Sequence, residues 1–261
     1  LLAAALLDTH APIAVANPSY LGALQVFEAR RPTFIAVATD DDGLIMDDLE
    51  RAFQQGAKFL YTIPDFQNPG GMTLPLNRRQ RIIELAHEYD VPILEDIAYR
   101  DLWYDNPPPP SLLETEGRYL GKDRWADDGL VIQVGTASKT MMPALRVGWT
   151  IAPPGLFDKL AILKQANDLS SSGINQMLAF ELASHHLPDH VQMLREIYAL
   201  RRDAMVEALR RHLPNSVHFS APSGGMFVWL TLPEGMDARR LLEKALDQEK
   251  LAFVPGAAFH A

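Results

Sequence analysis

Three short segments hold the side chains that could do chemistry, and each follows an apolar run. Lys139 stands in Gly135-Thr136-Ala137-Ser138-Lys139-Thr140, one of seven lysines in the chain, and the stretch continues through Pro143 to Arg146-Val147-Gly148-Trp149. An amine among small and hydroxylic neighbours can bond to a carbonyl carbon or carry a proton; a loop lysine can equally be a solvated charge. In Leu94-Glu95-Asp96-Ile97-Ala98-Tyr99 a carboxylate closes an apolar run and a phenol follows three residues later. That pair suits holding a cation and donating to an oxyanion, or capping a helix beside a packed ring. Gln67-Asn68-Pro69-Gly70-Gly71 adds an amide, although Asn-Pro and Gly-Gly are also turn punctuation. The hydroxyls of Thr136 and Ser138, with the guanidinium of Arg146, make a set that can hold a phosphate.

Something must bring these segments together, and the pattern between them says what. Short β-branched runs at 13–16, 34–38, 58–63, 91–95, 130–134 and 147–152 alternate with helical patterns at 21–30, 46–55 and 76–89. The last carries Ile82, Ile83, Leu85, Ala86 and Tyr89 on one stripe. Such alternation predicts an α/β fold, a mostly parallel sheet with helices on both faces, and its ligands sit beyond the carboxyl ends of the strands. From about residue 161 the pattern turns helical, with segments at 173–186 and 190–212, a strand at 226–232 and a helix at 238–250. We therefore expect a large α/β domain over 1–187 and a smaller α+β domain over 188–261, with 107–110 and 114–128 forming a long loop inside the first.

Composition narrows the classes further. The chain has 261 residues, 48% hydrophobic and 22% charged, which excludes disordered and low-complexity chains. Zero Cys excludes a disulfide framework, a thiolate nucleophile and Cys-ligated metal. A net charge of -9 speaks against a nucleic-acid groove within this stretch. The apolar start, residues 1–7, is too short for a membrane span and reads as the later turns of a buried helix. The stretch 252–256 reads as a strand and turn that no closing element follows, so both ends of the chain read as cut. His185, His186 and His190 are separated by Leu187-Pro188-Asp189, which interrupts a helix, and no fourth ligand accompanies them. Arg195, Arg201, Arg202, Arg210 and Arg211 alternate with acids and read as a solvated face. No Ser-His-Asp pattern or G-x-G-x-x-G turn points to a hydrolase or a dehydrogenase.

Taken in order, the three segments supply what a pyridoxal 5'-phosphate site requires: an amine, a carboxylate for the ring nitrogen, donors for the ring oxygen and ligands for the phosphate. The run Asp65-Phe66-Gln67-Asn68-Pro69-Gly70-Gly71, then Glu95-Asp96-Ile97-Ala98-Tyr99, then Ser138-Lys139-Thr140 through Arg146, Gly148 and Trp149, resembles the class I/II aminotransferases of fold type I. Within them it is most similar to the branch of 2-aminoadipate and multisubstrate aminotransferases, and segments 222–227 and 253–259 match that branch's smaller domain. The resemblance makes Lys139 the Schiff-base lysine, Asp96 the partner of the pyridinium nitrogen, and Tyr99 and Asn68 the donors to the ring oxygen. It makes Thr136, Ser138 and Arg146 the phosphate ligands, and Tyr20, in Asn17-Pro18-Ser19-Tyr20, the aromatic that stacks on the ring.

That resemblance implies a cytoplasmic homodimer moving an amino group from a 2-amino acid to a 2-oxo acid by ping-pong kinetics. The residues themselves give no expectation of a metal, a membrane span or a nucleic-acid groove within this chain. Two family features have no counterpart here: an N-terminal turn and helix start that adds donors to the phosphate, and a late Arg that pairs with the substrate α-carboxylate. The rival reading is a transcriptional regulator of the GntR/MocR type whose effector domain resembles an aminotransferase. The amino donor stays open, with loops 68–72 and 224–227 as contributors to its choice.

Overall fold

In the computed structural model, which describes residues 1–121 and 124–261, the alternating runs become one large sheet and its helices. The first part of the chain folds as α1 (Leu2–Leu6), β1 (Pro12–Asn17), α2 (Leu21–Glu28), β2 (Thr33–Asp40), β3 (Gly43–Leu44), α3 (Met46–Gln54), β4 (Leu60–Thr62), α4 (Leu76–Tyr89) and β5 (Ile93–Asp96). After these come α5 (Leu112–Leu120), α6 (Trp125–Asp128), β6 (Val131–Thr136) and β7 (Gly148–Ile151). The remainder holds α7 (Pro154–Asp168), α8 (Gly173–His185), α9 (Leu187–His212), β8 (His218–Phe219), β9 (Leu230–Thr231) and α10 (Ala238–Lys244).

The seven strands β1 to β7 lie in the order β3-β2-β1-β4-β5-β6-β7. From β2 to β6 all neighbours are parallel; β3 and β7 close the two edges antiparallel. Alternation along each strand feeds two cores. Ala14, Leu60, Ile93 and Val131 face Leu49 of α3, Ile82 and Ile83 of α4, and Leu112 of α5. Ile13, Val15, Tyr61, Leu94 and Ile132 face Leu24 and Phe27 of α2 on the other side. Because β2 lies on one side of β1 and β4 on the other, the chain reverses its winding direction at the β1/β4 boundary. In sheets of this kind that reversal opens a crevice past the carboxyl ends of the two strands.

Several expectations need correction. The stretch 114–128 is not a loop. Ser111 and Glu114 form a reciprocal capping box that starts α5, and α6 follows; Lys122 and Asp123, which fall in the same stretch, lie outside the described residues. The segment reads as polar because its acids serve the backbone. Glu116, fully buried, accepts from the N–H groups of Leu130 and Val131 and from Trp125 Nε1, and meets His87 Nε2 at 3.0 Å. Helix α7 begins at Pro154, not near 161, since a proline in the first turn loses no hydrogen bond. The same tolerance lets α9 start at Leu187, with the break between α8 and α9 falling at His186. Of the strand expected over 226–232 only Leu230–Thr231 pairs, with His218–Phe219, and the strand expected at 252–256 is absent, giving way to a 3-10 turn, Gly256–Phe259. The helix expected over 238–250 ends its regular part at Lys244 and widens into a π-type turn, Ala245–Glu249.

The most costly element of this fold is an ion pair sealed from water. Arg79 of α4 and Asp65 after β4 are both fully buried, with Arg79 Nη2 2.5 Å from Asp65 Oδ1. The same guanidinium donates to the carbonyls of Leu74, Pro64 and Pro110, while Arg100 Nη1 reaches Asp65 Oδ2 at 2.8 Å. Removing one partner leaves a charge stranded in the interior. We expect Asp65→Leu to destabilise the protein by about 3–5 kcal/mol in urea unfolding, and the double variant Asp65→Leu, Arg79→Met to recover part of that loss. A single variant as stable as the parent would show that the pair contributes nothing.

Candidate functional site

The segments singled out by residue type all follow carboxyl ends of parallel strands. Asn17 ends β1 and leads to Tyr20; β4 leads to Asn68; Asp96 ends β5 with Tyr99 just beyond; β6 ends at Thr136 and leads to Lys139. Four neighbouring strands therefore deliver their side chains to one edge of the sheet.

Contacts at that edge are specific. Asn68 Nδ2 donates to the Tyr99 hydroxyl at 3.4 Å, and Lys139 Nζ lies 5.8 Å from the centre of the Tyr99 ring. Phe227 packs edge-on against Tyr99 at 5.6 Å. Burial pushes the Tyr99 phenol up to about 12, against the hydrogen bond from Asn68, so it remains a donor at neutral pH. Asp96 Oδ1 accepts the Ala98 N–H at 3.1 Å and Oδ2 accepts the Tyr61 hydroxyl at 2.9 Å. Burial raises the Asp96 carboxyl above its ordinary value, although Tyr61, Ala98 N–H and the charge of Lys139 all oppose the rise.

Beyond β6 the chain turns on its own hydroxyls. Thr136 Oγ1 accepts the Ser138 N–H at 3.1 Å and donates to Ser138 Oγ at 2.9 Å. The β6–β7 pairing sets Thr136 opposite Gly148, and Ala137 N–H bonds Val147 O at 3.0 Å, so Arg146 returns beside this turn. Arg146 takes a left-handed backbone (φ 52) and bonds only the Pro143 carbonyl, with no carboxylate partner among the described residues. Tyr20, 39% exposed, folds its ring over Gly22, where a Cβ would come within 2.6 Å of the phenol. Its hydroxyl is near enough to Tyr61 and Tyr99 to act on both electrostatically. Tyr20 thus borders the same space, at its solvent side.

The donor set can be tested against the cofactor the resemblance implies. Among the described residues the buried side-chain atom left without a partner is Asn68 Oδ1. Buried amides seldom go half satisfied, so an unpaired end aimed away from Tyr99 marks a place for a ligand atom. Because a phenol both donates and accepts, the amide can present either end to that ligand. An amine, an anion, a phenol, an amide, two hydroxyls and a free guanidinium at one sheet edge fit pyridoxal phosphate. Sequence reasoning missed Tyr61, which read as strand filler. The available signal was that a phenol in a buried strand needs a partner, and the Tyr61–Leu94 register puts Asp96 within reach.

Comparison with known proteins decides the family. The family model Aminotransferase class I and II matches residues 1–261. The chain belongs to the class I and II aminotransferases. Aromatic-amino-acid aminotransferase 1 of Thermococcus litoralis is 41% identical over 95% of this chain and 59% of its own length. The crystal structure of LysN, an α-aminoadipate aminotransferase of Thermus thermophilus complexed with N-(5'-phosphopyridoxyl)-L-leucine, superposes with a TM-score of 0.92 at 37% identity. That superposition covers 99% of this chain and 65% of LysN. Regulators match as well: the HTH-type YdfD of Bacillus subtilis is 31% identical over 95% of this chain and 50% of its own length. The chain spans about three fifths of the curated aminotransferases it matches. Among the described residues no group of acids and histidines converges to hold a metal, and no helix is long and apolar enough to cross a membrane.

The raised Asp96 pKa has a signed consequence. A carboxyl whose folded value lies above its unfolded value of 3.8 makes the folded state bind more protons, so its contribution to stability falls as pH rises through that window. A cation placed against this carboxylate would offset the effect. We expect Asp96→Asn to make the cofactor-free protein at least as stable as the parent at pH 7, and to weaken pyridoxal phosphate binding roughly tenfold or more. Thermal melts with and without cofactor read both. A variant less stable when empty yet unchanged in affinity would place the cation elsewhere.

Proposed function

We propose that the protein is a pyridoxal-phosphate aminotransferase that moves an amino group from a 2-amino acid to a 2-oxo acid. The observation that carries this reading is the arrival of Lys139, Asp96, Tyr99 and Asn68 at the ends of adjacent parallel strands, with Asn68 Oδ1 left for a ligand. Bound there, pyridoxal phosphate would supply an electron-withdrawing ring and a carbon that accepts the amino group. Lys139 Nζ, with no hydrogen-bond or ion-pair partner among the described residues, would be placed to take the α-proton of the substrate. The Asp96 carboxylate would face the ring nitrogen and favour its cationic form. Tyr99 would donate to the ring oxygen, and the second N–H of the Asn68 amide would donate to the same oxygen. Thr136, Ser138 and Arg146 would hold the phosphate, for which an unpaired guanidinium is suited. Tyr20 would cover the ring from solvent.

Two substrates that use one site in turn give ping-pong kinetics. The proposed assembly is a homodimer in the cytoplasm, and exposed apolar side chains on α7 and α8 support the association. Phe157, Ile162, Ile174, Met177 and Phe180 are each at least 65% exposed there, more than an isolated chain leaves in water. A regulator's effector domain is the second reading, and the match to YdfD is the observation that favours it.

One spectroscopic experiment separates the two. With pyridoxal phosphate the complete protein is expected to show a visible absorbance band, which Lys139→Ala lacks, and mixed amino acids are expected to discharge it. Turnover in Lys139→Ala is expected to fall below detection. A band that forms on Lys139 but resists every amino acid would support the regulator, and full activity in Lys139→Ala would remove the central assignment.

A further inference from the structure

Tyr61 reaches the site from beneath. It lies in β4, 3% exposed, with its ring held edge-on by Phe27 at 5.5 Å. From this packed position the hydroxyl donates to Asp96 Oδ2 at 2.9 Å. The parallel register that pairs Tyr61 with Leu94 fixes this geometry from the sheet itself. The other oxygen, Asp96 Oδ1, is held by the Ala98 N–H. Each carboxylate oxygen therefore has one donor from the protein before any ligand arrives.

We propose that Tyr61 is a positioning residue which aims the Asp96 carboxylate and sets its basicity toward the cofactor's ring nitrogen. The inference rests on the proposed role of Asp96. A carboxylate placed between a phenol O–H and a pyridinium N–H shares its electron density with both. The more firmly the phenol donates, the weaker a base the carboxylate becomes, and the more completely the shared proton stays on nitrogen. Without the phenol, a carboxylate already made more basic by burial draws that proton toward itself, and the ring loses part of its electron-withdrawing power.

A tyrosine suits this task because it does not titrate. Burial and the adjacent Asp96 charge hold its phenol well above the usual range, so it donates at every physiological pH. The titratable groups around Asp96 come from three elements, Tyr61 on β4, Tyr99 beyond β5 and Lys139 beyond β6, while Tyr20 before α2 faces Tyr61 and Tyr99. Of these, Tyr61 alone gives Asp96 a side-chain hydrogen bond; Lys139 acts through its charge. Glu95 turns to the opposite face, where it binds the N–H groups of Leu112 and Leu113.

The test uses the complete protein with Tyr61→Phe and, separately, 3-fluorotyrosine placed at position 61 as a stronger donor. Two signals are read: the titration of the Asp96 carboxyl carbon in cofactor-free protein, and the nitrogen shift of ring-15N-labelled pyridoxal phosphate when bound. Tyr61→Phe is expected to raise the Asp96 midpoint by roughly one pH unit or more and to move the ring signal toward its unprotonated value. The fluorinated residue, which keeps the packing, is expected to move both the other way, and it carries the test should the Phe variant not fold. Signals that stay at the parent's position in the folded variants overturn the proposal. A parent whose ring nitrogen is already unprotonated overturns the Asp96 assignment and this proposal with it, and is told apart because it shows before any substitution.

Discussion

Arg79 has no route to water, and much of the site hangs from it. Its guanidinium binds Pro64 O at one end of the loop after β4, Leu74 O at the other and Pro110 O across from them. The loop so bracketed carries Asn68. Asp65, which neutralises Arg79, also receives Arg100, the residue following Tyr99, and Arg100 goes on to Pro109 O and Glu114. One carboxylate thus fixes the loop that bears the amide and the turn that bears the phenol. Desolvating such charges is expensive, and apolar side chains could fill the same volume. What apolar packing could not supply is direction: bonds to named carbonyls hold Asn68 within reach of Tyr99, as a ligand pocket requires.

Adjacent carboxylates on β5 show how the sheet divides labour. Strand alternation sends Glu95 to one face and Asp96 toward the site. Glu95 is fully buried and is answered by Leu112 N–H, Leu113 N–H and Gln133, so it anchors the start of α5. Burial raises both acids, yet each meets the cost with different partners. For Glu95 those partners are all protein groups, and the helix terminus is the gain. For Asp96 the donors are two, and the residual cost is what a cationic ligand can relieve.

How much of this could be read beforehand depended on whether local pattern or tertiary demand decided each residue. The parallel strands and α4 were legible because apolar periodicity reflects burial directly, and Leu76–Tyr89 matches the predicted helix end to end. The three chemical segments were legible because strand ends in such a sheet converge. Helix α5 was hidden because Glu114 and Glu116, which look like solvent-facing acids, cap the helix and bind the backbone of β6. The segment just before the strand expected over 226–232 is held by partners far along the chain, with Gly225 N–H on Leu102 O and Tyr104 on the Ser223 and Gly225 carbonyls, which local pattern does not show. Tyr61 was hidden for the same reason: its partner lies 35 residues away and only the register reveals it.

The structural and the ligand-directed charges can be told apart by what they lack. Glu95, Glu116, Asp65 and Arg79 are buried, and each of their side-chain oxygens and nitrogens has at least one protein partner, as interior charges must. Asn68 has an amide oxygen with nothing on it, Lys139 has an aromatic face but no carboxylate at ion-pair distance, and Arg146 has one carbonyl but no carboxylate, all among the described residues. A fold stabilised only by its own contacts would have little reason to collect incomplete groups at one sheet edge. Fully answered groups would in turn have to break a bond before gripping anything new. Incomplete groups gathered on the crevice side, beside buried networks that hold them in place, are what binding without rearrangement demands.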